Sequence, residues 1–111
     1  MMNTMLFHIA TLPDWNPALK TGEYTTGSLL TEGFIHCSHQ DQLEEVANRY
    51  FRGRTDLVLL TIDPSKVAAE IRIELAQNGK FYPHIYGTIP LTSVTQHRPW
   101  KPEADGTFRL S

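Results

Sequence analysis

The chain has one cysteine, Cys37, in 111 residues, so no internal disulfide framework can hold it, and a reducing compartment suits it. No apolar run approaches the ~20 residues that a membrane-spanning helix needs. Positive charge is not in excess: Lys and Arg number 10 against 12 Asp and Glu, a formal net charge of -2. With no whole-molecule field to attract phosphates, non-specific DNA binding is not expected as a role. Internal repeats and low-complexity tracts are missing as well. Neither C-x-x-C nor H-E-x-x-H occurs, and these are the strong zinc signals. The opening residues, Met1 to His8, carry no basic segment followed by an apolar one, which predicts no signal peptide and a cytoplasmic location.

What is present is an ordinary globular balance, 41% hydrophobic and 20% charged, which argues against disorder. The length fits a single domain, 1-111, able to bury a core without a metal or a crosslink.

Alternation predicts a strand over Met5 to Ala10, with Leu6, His8 and Ala10 on one face and Met5, Phe7 and Ile9 on the other. Thr11 and Pro13 suit the start of a short helix towards Leu19, which Gly22 ends. A helical turn over Ser28 to Glu32 is closed by Gly33. Phe34 to Cys37 reads as a brief strand running into a helix capped by Ser38, whose apolar face is Leu43, Val46, Ala47, Tyr50 and Phe51. The run Leu57 to Ile62 predicts a strand buried on both faces. Further strands are expected at Ile71 to Leu75, Ile85 to Ile89, Leu91 to Arg98 and Thr107 to Leu110, the last after an Asp105-Gly106 turn. The pattern is an α+β domain with its helices near the N-terminal half.

Five histidines stand out, because imidazole donates, accepts or carries a proton near neutral pH. Each is also compatible with an ordinary surface or hydrogen-bonded role. His36-Cys37-Ser38-His39 invites a metal reading, but neighbours on a strand point to opposite faces, and no metal is predicted. A metal site built from His8, His36 and His84 through the fold stays an alternative. Cys37 reads as packing rather than as a nucleophile. A helix beginning at Ser38 would offer unpaired N–H groups to a phosphate, with His36 on the same side; the plainer alternative is that Ser38 only caps its helix. Phe81 to Gly87 is a dense aromatic stretch in which Tyr82 and Tyr86 stack on a ring or fill the core, and Gly87 marks a bulge or a close approach. Trp15 and Trp100 read as packing residues.

The order of His8, Gly33-Phe34-Ile35-His36-Cys37-Ser38, Gln42, Val46-Ala47-Asn48-Arg49-Tyr50-Phe51 and Pro83-His84-Ile85-Tyr86-Gly87 resembles the family known as domain of unknown function 952, over nearly the whole chain. That resemblance implies an ADP-ribosyltransferase-like fold, a split and mostly antiparallel β-structure around a nicotinamide-dinucleotide cleft. His8 is similar to a first-strand histidine that bonds a ribose of NAD. His36 is similar to the second histidine of the RNA 2′-phosphotransferase branch, and His84 falls where transferases place a glutamate. The resemblance thus implies His8, His36 and His84 as catalytic residues and His8, Ala10, His36, Ser38 and Tyr86 as nucleotide-binding ones. It implies NAD as a substrate and ADP-ribosyl transfer, phosphate transfer or NAD cleavage as the reaction. A non-enzymatic nucleotide-binding or regulatory module is the alternative, motivated by Ile9 in place of a glycine and by the absent glutamate, for which Glu74 substitutes only if the fold brings it to the cleft.

Overall fold

The nearly continuous apolar run Leu57–Ile62 explains the architecture, because a strand with no polar face must be covered on both sides. In the computed structural model, which describes residues 4–110, this strand (β4) lies between β1 (Leu6–Thr11) and β8 (Val94–Trp100), antiparallel to both. The leader expectation rests in part on residues 1–3, which lie outside the described ones.

Alternation along β1 and β4 sends side chains into two separate cores. Leu6, Ala10, Val58, Leu60 and Ile62 enter one, with Trp15, Tyr24, Ile35 and Ile85; Ile9, Leu57 and Leu59 enter the other, with Leu43, Ala47, Trp100 and Phe108. The first face is covered by helix α1 (Leu12–Thr21) and by a second sheet, in the order β3 (Ile35–His36), β6 (Phe81–Ile85), β5 (Ile71–Leu75). The second face is covered by helix α3 (Leu43–Tyr50) and the chain around Phe108. A short ribbon pairs β2 (Glu23–Tyr24) with β7 (Ile89–Pro90), and helix α2 (Gly27–Glu32) leads into β3. The strand pairings are antiparallel, so the protein is α+β as its sequence predicts. Among the described residues no helix is long and apolar enough to cross a membrane.

Several local expectations change. Ser38 does not cap a helix. Its N–H donates to the Phe7 carbonyl at 2.7 Å and its carbonyl accepts from Phe7 N–H at 2.9 Å, a bridge that ties β1 to the end of β3. The helical segment starts with a 3₁₀ turn over Gln40–Gln42 after His39, and Gln42 Oε1 accepts from His39 N–H. Tyr50, expected on the apolar face of α3, is 69% exposed. Thr11 occupies the start of α1, but its hydroxyl makes no cap bond.

The strand expected at Ile85 to Ile89 lies earlier, over the aromatic stretch: β6 runs through Phe81–Ile85 despite Pro83. The Pro83 carbonyl accepts from Cys37 N–H, so its nitrogen faces the same side, where β3 ends, and no bond to β5 is lost. The expected strand over Thr107 to Leu110 is not one. Its backbone is held instead by side chains of α3: Asn48 bonds both the N–H and the carbonyl of Phe108, and Glu44 accepts from Leu110 N–H.

Candidate functional site

Strand alternation places the site. On the β3–β6–β5 sheet, Ile35, Cys37, Ile85 and Ile71 point into the core, which leaves Phe34, His36, His84, Tyr86, Arg72 and Glu74 on the other face. His36 and His84 are a direct cross-strand pair, with ring centroids 5.3 Å apart and ring planes at 75°. Phe34 stacks on His84 at 4.0 Å and meets the His36 ring edge-on at 4.8 Å.

Each imidazole of the pair is held by a carboxylate. His84 Nδ1–H donates to Glu74 Oε1 at 2.7 Å, and Tyr86 donates its hydroxyl to the same oxygen at 2.6 Å. A carboxylate only accepts, so this bond fixes the proton of neutral His84 on Nδ1 and leaves a lone pair on Nε2. The two bonds, from Tyr86 first and His84 second, hold the Glu74 carboxyl below its usual range, while the same carboxylate raises the Tyr86 phenol. Arg72 lies 4.4 Å over the Tyr86 ring. His36 is more open, its side chain 55% exposed, and its Nε2–H donates to Glu32 at the end of α2, at 3.1 Å.

His8 is different. It sits at 7% exposure beside the free edge of β3, donating Nδ1–H to the His36 carbonyl at 2.6 Å and accepting at Nε2 from the Tyr24 hydroxyl at 2.8 Å. Both ring nitrogens are occupied within the protein. Burial drives its pKa down to about 4, against a smaller raising effect of the bond to His36, so the ring is neutral at physiological pH. Burial likewise raises the Tyr24 phenol.

His8, Ser38, His36 and His84 all line one cleft of about 780 Å³, bordered by α3 and by the turn between β5 and β6. Its size suits a small-molecule ligand. Ala10 and Tyr86 are not among its lining residues: Ala10 is 1% exposed in the core, and Tyr86 stands behind Glu74. Ser38 has its N–H committed to Phe7, so neither the plain cap nor the helix-start phosphate site that the sequence leaves open there forms, and only the hydroxyl remains as a donor. Cys37 is buried at 3% and burial pushes its thiol up, which makes it inert packing. Among the described residues no three His, Cys, Asp or Glu side chains gather closely enough to hold a metal ion. The close approach at Gly87 is to protein: a Cβ there would lie 2.6 Å from Ala69 Cβ. Trp15 and Trp100 are buried, as read from the sequence.

Sequence reasoning missed Phe34 and Glu32 as partners of His36, and Tyr24 as the partner of His8. Phe34 was findable, since it lies two residues from His36 and strand period two puts both on one face. From the sequence, Glu74 is only a stand-in for the absent glutamate. It reaches His84 but is not itself a lining residue, so its charge reaches the cleft through that imidazole.

No curated protein matches this chain. Three solved structures do, all of protein CC0527 from Caulobacter crescentus. The crystal structure and that of a double mutant each superpose with a TM-score of 0.87 at 30% identity, covering 96% of this chain and 95% of theirs. The solution structure gives 0.84 at the same identity, with 93% of its chain covered. The family model described as "Protein of unknown function (DUF952)" matches residues 9–97, which takes in His36, His84 and the strands that carry them. The chain therefore belongs to that family.

Proposed function

We propose that the cleft binds a nucleotide and that the His36–His84 pair acts on it, in an ADP-ribosyltransferase-like arrangement with NAD as the substrate. The observation that carries this reading is the pair itself: two adjacent imidazoles on a cleft wall, each oriented by its own carboxylate. A carboxylate–imidazole unit with a free ring nitrogen is the usual arrangement for proton transfer. His36, the more exposed ring, meets a phosphate, with the Ser38 hydroxyl beside it. His84 takes the proton of the water or acceptor hydroxyl that adds to the ribose carbon, while nicotinamide leaves as a neutral base with the electron pair of the broken bond. Glu74 stabilises the imidazolium that results. His8, its two nitrogens engaged, supports the wall rather than touching the ribose.

Titration calorimetry with NAD, ADP-ribose and nucleoside phosphates tests the reading. Wild type is expected to bind at least one of them, and His36→Ala to bind it about tenfold more weakly or worse, the loss of one charge-assisted bond. Equal and negligible heats for both proteins overturn it. The engagement of His8 favours a second reading, a binding module without turnover. Ligand recovered intact after long incubation with protein that binds it selects that reading.

A further inference from the structure

Strand β5 ends its sheet, and among the described residues its outer edge is unpaired. Along this edge Ile71, Ile73 and Leu75 turn their N–H and carbonyl groups outward, because Glu70 and Ala76 direct theirs at β6 and the pattern alternates between them. Of the two edge strands of the other sheet, β1 is engaged at Phe7 by Ser38, and β8 carries Pro99 and pairs with β4 across a register shift, two features that discourage further pairing. β5 has neither: five residues without proline, in unbroken register with β6. Apolar surface is concentrated beside it. Ile73, Leu75 and Phe81 are 52%, 63% and 54% exposed, three of the seven large hydrophobic residues left in the open among the described residues.

The sequence of the strand, Ile71-Arg72-Ile73-Glu74-Leu75, is complementary to itself when reversed. An antiparallel copy centred on Ile73 sets Arg72 opposite the partner's Glu74 at both ends and Ile71 opposite the partner's Leu75. Ile73 would exchange two backbone bonds with its own equivalent, and each Ile71–Leu75 pair two more. The guanidinium is half exposed and Glu74 a third exposed, so both remain within reach of a partner while keeping their internal contacts.

We propose that the β5 edge is a homodimer interface, in which two copies join through a two-fold axis at Ile73 into a continuous six-stranded sheet. The closed two-fold arrangement uses the same surface on both copies. This inference is independent of the nucleotide reading.

Sedimentation velocity of the full chain at high micromolar concentration tests it. Wild type is expected to be a dimer. Arg72→Glu faces like charges across both ends and should raise the dimer dissociation constant about tenfold or more. Ile73→Pro removes one outward donor and no internal bond, and should leave a folded monomer. The exchange R72E/E74R restores opposite charges and should restore the dimer, with circular dichroism and thermal melts reporting the fold of every variant. A wild type that stays monomeric, as it would if the edge received some other protein's strand, overturns the proposal. So does a dimer indifferent to both single variants, or a folded double variant that stays monomeric.

Discussion

His8 is a buried base, and one of its two hydrogen bonds requires it neutral: Nδ1–H donates to the His36 carbonyl in either charge state, but Nε2 accepts from Tyr24 only while it carries no proton. An ordinary histidine in the unfolded chain takes up a proton near pH 6.5, whereas this one resists until about pH 4. Between those values the unfolded state binds more protons than the native state, so stability is complete above the upper value and falls as pH falls through the window. Urea denaturation at pH 7.5 and 4.5 should show wild type losing roughly 2 to 3 kcal/mol more than His8→Gln, which has no proton to take up. Parallel losses in the two proteins would assign the acid sensitivity elsewhere. At pH 7.5 the variant should itself be less stable, by about 1 to 3 kcal/mol, through the weakened support of Tyr24 and the β3 edge.

At the scale of elements, the chain announces what has a period and conceals what depends on a distant partner. The strands Leu57–Ile62 and Ile71–Leu75 fall where the pattern puts them, because burial on two faces or on one writes itself into hydrophobicity. Gly22 and Gly33 end α1 and α2 in the left-handed conformation that glycine tolerates best. Ser38 misleads for the opposite reason: its preference for capping is local, and the bridge to Phe7 that overrides it spans more than thirty positions. The segment after Asp105-Gly106 keeps its turn but finds α3 side chains rather than a strand neighbour, and nothing in its own residues says so. His36 and His84 could be nominated by type, yet their adjacency came only from the register of β3 on β6. Gly87 offers a test of element packing. Gly87→Ala forces β6's exit away from Ala69 and should cost about 1 to 3 kcal/mol, while Ala69→Gly in the same chain should recover most of that loss. Thermal denaturation of the single and double variants measures the coupling, and additive losses would place the strain elsewhere.

Over the whole molecule, one three-stranded sheet separates two cores, and β4 contributes to both. A truncation in that strand is therefore felt across the protein. Leu60→Ala, at a site with no exposure, should cost about 2 to 5 kcal/mol, whereas Leu30→Ala, at 91% exposure in α2, should stay within about 0.5 kcal/mol. Denaturant midpoints at constant slope distinguish the two, and similar losses would contradict the division into inner and outer positions.

Pro83 governs how these parts are joined. Having accepted the Cys37 amide, it has no hydrogen to return to the Cys37 carbonyl, so the ladder between β3 and β6 is cut off on that rung. The chain beyond Cys37 is released from one sheet just where Phe7 of the other can receive it. A single imide nitrogen thus acts as a junction, switching the polypeptide from one set of neighbours to another.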